Sequence, residues 1–306
     1  MTQKTAGADD REKPVTSLRL FVNRLTTAIR NRTEMYGHDD PLQKVCKDPA
    51  DREGYRGITE IIPELSSYKA RQYGHLKSQA SEAGCSDLTE YCAYLRGHPE
   101  EVTRLKSNLT FLGSHFFRGS DWGYFNEACL KAFEGRENVR VWCAGCSSGQ
   151  EVYSTVLSLL DHVPLRAIEV LATDYNEELL KKTRAGQYFN MHLHEIPEAY
   201  RRYVIEGEKK FEFRPEIRER ITAEYLNLLT DPFPEGFDVI ICRNVLKFFK
   251  GDVIREIQKK LAASLNEGGF VFLSTDDNSK TAELIINPGR LGLKQMANKS
   301  IYRKIV

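Results

Sequence analysis

The chain has 306 residues, 41% hydrophobic and 28% charged, which gives room for one large core plus a small accessory domain and excludes a disordered or fibrous chain for most of its length. Its 44 basic and 43 acidic residues nearly cancel, so the overall charge gives no footprint for nucleic acid or a membrane surface, and a charged partner must be met by a local patch. No run reaches the roughly 18 apolar residues of a membrane span, and residues 1–10 are polar, so a cytoplasmic protein with no nucleic-acid partner and no membrane insertion is expected.

Residues 1–16 lack periodicity and read as a mobile tail. Behind Ser17, the residues Leu18, Phe21, Val22, Leu25, Ala28 and Ile29 recur at helical spacing and predict an added amphipathic helix to Arg32. Tyr36 to Arg56, with Pro41, Pro49 and Gly54, reads as a connection, and residues 17–53 are grouped as helix plus connection. Helical patterns over Ile58 to Leu65, Tyr68 to Ala83, Asp87 to Leu95 and Pro99 to Leu105, with stops at Gly84 and Gly97, predict a small all-helical domain over 54–107.

From Val139 the rhythm changes within a unit assigned to 108–306. Strands at Val139 to Ala144, Ile168 to Thr173, Ile221 to Leu226, Phe237 to Cys242 and Phe270 to Ser274 alternate with helices at Glu151 to Leu160, Glu177 to Ala185 and Asp252 to Leu265. This is the pattern of an α/β fold with a doubly wound, mostly parallel sheet. Glu206 to Phe213 reads as a small β excursion, and Leu291 to Met296 with Ser300 to Ile305 as an antiparallel hairpin at one sheet edge.

The run Trp142 to Glu151 places Gly145 and Gly149 in the turn after the first strand, where missing side chains let backbone approach a ligand. Asp174 ends the second strand, placed to accept hydrogen bonds from ribose hydroxyls or to cap the next helix. Turn and acid suit a nicotinamide cofactor and S-adenosylmethionine equally. Asn227 and the pair Arg243 and Asn244 stand at later strand ends, on the same edge of an open sheet. Seven cysteines form no metal-ligand pattern; Cys143 and Cys146 have dithiol spacing, but the turn from Gly145 to Gly149 makes them buried small hydrophobes in this reading. His192 and His194 lie two apart in a polar loop and are expected to face solvent, so no metal is assigned.

The ordered set resembles the CheR-type methyltransferases of bacterial chemotaxis receptors. Gly145-Cys-Ser-Ser-Gly-Gln-Glu151 is similar to their Gly-Cys-Ser-Thr-Gly-Glu-Glu turn, Ala172-Thr-Asp174 to a strand end, Asn227-Leu-Leu229 and Cys242-Arg-Asn-Val245 to two later segments. Phe116-Phe-Arg118 resembles their Thr-x-Phe-Phe-Arg motif, and Asp87-Leu-Thr-Glu-Tyr91 their helical-domain signature. The resemblance implies a class I methyltransferase-like fold. It also implies methyl transfer from S-adenosylmethionine to a glutamate carboxylate of an acidic receptor cytoplasmic segment, giving a methyl ester and S-adenosylhomocysteine.

Carried to this chain, the resemblance implies that Glu151 holds the methionine amino group, Asp174 the ribose, and Asn227 and Leu228 the adenine. Arg243 and Asn244 line the cofactor floor, and Arg118, the candidate catalytic residue, meets the methionine end or the incoming carboxylate together with Ser114. Lys69, Arg71 and Lys77 are the candidate charges for docking the receptor. The chain departs from the family at Gln150, Val152, Leu112, Gly113, Phe248 and Ser274 to Asp277. The last two departures fall where the acceptor approaches and keep two alternatives in view: a CheR-like enzyme with another acceptor, and a module that binds S-adenosylmethionine without turnover.

Overall fold

The computed structural model describes residues 46–67, 72–108, 114–119, 121–273, 285 and 287–305. The tail at 1–16, the Ser17 to Arg32 helix, Lys69, Arg71, Leu112, Gly113 and Ser274 to Asp277 lie outside the described residues.

The amino-terminal part holds α1 (Pro49–Ile61), α2 (Gln72–Glu82), α3 (Leu88–Gly97) and α4 (Pro99–Asn108). Helix α1 corrects the reading of a connection running to Arg56. Pro49 occupies the first helical turn, where its missing N–H costs nothing, and the Asp48 side chain accepts from Ala50 N–H as N-cap. Gly54 lets α1 settle on the start of α3, since a Cβ there would stand 2.1 Å from the Leu88 carbonyl carbon.

Asp51, in the first turn of α1, is buried and accepts from Leu88 N–H at 2.8 Å, the Tyr73 hydroxyl at 2.8 Å and Lys77 Nζ at 3.1 Å. Burial by itself pushes this carboxyl up; the three donors outweigh it and hold the group below its ordinary value. Lys77, one of the candidate docking charges, is thus paired with Asp51.

The carboxy-terminal part is an α/β unit. Its strands are β1 (Val139–Ala144), β2 (Ile168–Asp174), β3 (Gln187–Phe189), β4 (Val204–Glu206), β5 (Lys210–Phe213), β6 (Ile221–Tyr225), β7 (Phe237–Ile241), β8 (Leu265–Phe272), β9 (Leu293–Gln295) and β10 (Ile301–Lys304). Its main helices are α5 (Gln150–Leu159), α6 (Glu177–Ala185) and α7 (Gly251–Ser264). Seven strands form one sheet in the order β6-β2-β1-β7-β8-β10-β9, parallel from β6 to β8 and antiparallel at β10 and β9. The β excursion is a separate antiparallel sheet, β3-β5-β4.

Strand alternation divides the core. Val139, Val141 and Cys143 of β1, with Val239 and Ile241 of β7, pack on the α5 side, while Trp142, Ala144, Ile240 and Cys242 pack on the other, where the apolar residues of α1 to α4 also collect. Chain order reverses between β1 and β7, so the loops following these two strands part and leave a crevice at the carboxyl edge. No helix of the described residues is long and apolar enough to cross a membrane.

Gly54→Ala is expected to destabilise the chain by about 3 kcal/mol, because the opposing atoms are backbone that cannot rotate away; a thermal melt should fall by roughly 8 °C. Asp51 has a depressed native pKa, so its contribution is present above the unfolded-chain value and is lost as pH falls through the native one. Urea denaturation should show Asp51→Asn about 2 kcal/mol less stable at neutral pH, with the gap to the parent chain narrowing below about pH 4.

Candidate active site

The crevice is an open groove of about 930 Å³. Of the residues assigned from the sequence, Ser114, Arg118, Gly145, Glu151, Asp174, Asn227, Leu228, Arg243 and Asn244 all line it. Gly149 is not among them. It caps α5 in the left-handed conformation with φ +88°, and a Cβ there would meet Thr183 Oγ1 at 2.7 Å. Gly145, at φ +76°, packs under Val245 from the other side of the crevice, with 2.6 Å left for a Cβ.

The turn after β1 is tied to β2. Gly145 and Cys146 N–H both donate to the Thr173 carbonyl, at 2.8 and 2.9 Å, and Ser147 N–H donates to Asp174 Oδ2 at 2.8 Å. Asn176 N–H donates to Asp174 Oδ1 at 2.9 Å, so the carboxylate bridges two loops while keeping lone pairs for a ligand. Burial pushes this carboxyl up, partly offset by those amides. Cys143 and Cys146 are buried, and burial raises both thiols, which makes them unreactive packing groups. Gln150 and Val152, two departures from the family turn, are buried behind the groove, and Gln150 Oε1 accepts from Ser148 Oγ at 2.7 Å.

Across the groove, Arg243 leaves the end of β7 and is buried, its guanidinium 4.6 Å from the Phe272 ring centroid and 5.6 Å from that of Trp122. Its two terminal nitrogens donate to Glu151 Oε2 at 2.7 Å and to the Arg118 carbonyl at 2.8 Å. Glu151 stands in the first turn of α5, where the helix dipole favours its charge, and its Oε1 has no hydrogen-bond partner among the described residues. The Asn244 Nδ2 and Ser147 Oγ atoms are buried at the groove and unpartnered among the described residues, as expected of groups whose partner is a bound polar ligand. Asn227 holds its own turn, accepting from Leu229 N–H at 3.0 Å while its N–H donates to Asp231 Oδ2 at 2.8 Å.

The segment that brings Ser114 and Arg118 to the groove is anchored by the residues between them. Phe116 N–H donates to Glu195 Oε2 at 2.8 Å, and the Phe116 ring packs among Tyr188, Phe211 and Phe213 of the small sheet. Phe117 takes φ +47°, donates its N–H to Ser154 Oγ at 2.9 Å and stacks on Tyr200 at 5.5 Å. Residues the sequence reading left out also border the groove: His115, Tyr175, Leu226 and Phe249. Leu226 follows directly on β6, at a strand end where a groove contact was readable; His115 carried no such signal. His192 is half-buried and hydrogen-bonded to Glu195 at 2.9 Å, which corrects its assignment to solvent, whereas His194 is exposed.

Residues 113–285, more than half of the chain, match the family described as CheR methyltransferase, SAM binding domain. A chemotaxis protein methyltransferase of Listeria innocua is 34% identical over 213 residues, 68% of this chain and 79% of that protein. Chemotaxis protein methyltransferase 1 of Pseudomonas aeruginosa is 33% identical over 269 residues, 85% of this chain and 88% of that protein. The glycine turn, the buried Asp174 carboxylate and the Arg243 clamp thus stand in a chain that belongs to the CheR family of S-adenosylmethionine-dependent methyltransferases.

Proposed function

We propose that this chain methylates glutamate carboxylates on the acidic cytoplasmic segment of a chemotaxis-type receptor. The observation that carries the reading is the groove at the β1–β7 crossing, where Arg118 and Glu151 share Arg243 and a buried carboxylate, Asp174, waits beside a glycine turn. S-adenosylmethionine supplies an already activated sulfonium methyl. In our assignment Asp174 accepts the ribose hydroxyls, Glu151 takes the ammonium on its second oxygen, and Asn244 and Ser147 donate or accept at polar atoms of the same ligand.

A glutamate carboxylate is ionised at neutral pH and needs no general base. Its oxygen bonds to the methyl carbon as the carbon–sulfur bond breaks and the electron pair returns to sulfur, so a neutral ester and a neutral thioether form with no proton moved. The protein contributes alignment and exclusion of water, and the Arg118 guanidinium holds the incoming carboxylate. Phe248, which borders the groove as a phenyl where the family has a tyrosine, favours a second reading with the same chemistry on another acceptor.

Calorimetry with S-adenosylhomocysteine should show Asp174→Asn weakened by about 30-fold, the loss of charged hydrogen bonds. Because burial raises the Asp174 carboxyl, acidification should weaken binding to the parent chain before an ordinary carboxylate would protonate, and Asp174→Asn should not follow that curve. Arg118→Ala should lower kcat by about 100-fold on an acidic receptor peptide, measured as base-labile methyl ester, while cofactor affinity changes less than about threefold. Methyl transfer to other acceptors only would replace the glutamate reading, and binding without any transfer would leave a non-catalytic module.

A further inference from the structure

Glu195 does more than hold Phe116. Its Oε1 receives the Nδ1 of both His115, at 3.2 Å, and His192, at 2.9 Å. His192 and Glu195 lie three apart on one 3-10 turn, Asn190–Glu195, while His115 arrives from 80 residues upstream of Glu195. One donor atom from each of the three residues lies within 4.8 Å of the other two, the one such grouping of histidine, cysteine and acidic side chains among the described residues.

We propose that His115, His192 and Glu195 form a binding site for a zinc-class divalent cation, which fastens the Ser114–Arg118 segment to the turn that follows β3. Ligands at about 2.0–2.2 Å in a tetrahedral shell are separated by about 3.3 Å; Glu195 Oε1 lies 2.9 and 3.2 Å from the two imidazoles, whose donor atoms are within 4.8 Å of each other. Two imidazoles and one carboxylate are a donor set suited to zinc and its neighbours rather than to magnesium or calcium.

The surroundings of the three ligands fit this assignment. Phe116 N–H on Glu195 Oε2 orients the carboxylate from behind, as outer hydrogen bonds do at metal sites. The Glu195 side chain is 14% exposed and that of His115 53%, so a fourth position opens to water. Through His115 the site adjoins the methyl-transfer groove.

The test is titration of the chelator-treated full chain with Co²⁺ and then Zn²⁺. We expect one equivalent bound at micromolar concentration, visible bands of nitrogen and oxygen coordination without thiolate charge transfer, and displacement by Zn²⁺. His192→Ala should weaken binding at least about tenfold, and His194→Ala, outside the cluster, should leave it unchanged. X-ray absorption of the Zn²⁺-loaded parent chain should show imidazole and oxygen scatterers only, which decides the matter even where His192→Ala fails to fold. Absence of one-to-one binding, sulfur in the metal shell, or a folded His192→Ala chain that binds like the parent would overturn the site. Zn²⁺ should also slow hydrogen exchange at the Phe116 amide, and an unchanged rate would overturn the fastening.

Discussion

A single buried guanidinium holds the groove in shape. Arg243 comes from the strand on one side of the topological crossing, Glu151 from the helix on the other, and the Arg118 carbonyl from a third segment. Two aromatic faces, Trp122 and Phe272, flank the guanidinium and help fix its position. An ion pair this deep adds little net stability, since desolvation of both charges offsets their attraction. What it fixes is geometry: with its two terminal nitrogens on Glu151 and the Arg118 carbonyl, the loop after β7 and the start of α5 cannot drift apart independently.

The same economy of partners runs through the rest of the site. Asp174 is at once the end of β2, the acceptor for the β1 turn and the acceptor for the amide at the start of the next loop. Ser154, one turn along α5 from Glu151, receives the Phe117 amide. Position at the groove is thereby inherited from α5 and β2, whose apolar residues lie in one continuous core cluster with Phe116. Pre-organised contacts of this kind let an enzyme whose reactants need little activation gain rate through alignment.

Much of this was legible in the sequence, for stated physical reasons. Strands buried on both faces read as apolar runs, and β1, β2 and β7 were located within a residue of their bounds. Asp174, Arg243 and Glu151 come to one groove because strand ends and helix starts converge at one sheet edge. The start of α1 reads as connection because Pro49 carries one signature for a loop and for a first helical turn, and only the Asp48 cap distinguishes them. At Gly149 a ligand and a neighbouring threonine would both exclude a Cβ, so the glycine alone does not separate the two. Lys77 hid its partner 26 residues away, and the His115, His192 and Glu195 grouping spans 80 residues, a distance over which no local pattern survives.

The two phenylalanines before Arg118 divide their anchors: Phe116 enters the small sheet, and Phe117, at positive φ, turns to Tyr200 and α5. Such a stretch has a fixed length. Side chains within it can be exchanged for others of like volume, but inserting or deleting one residue would put each ring at the other's anchor and carry Arg118 past the groove. The stretch from Ser114 to Arg118 therefore tolerates respelling, while its two anchors fix the number of letters.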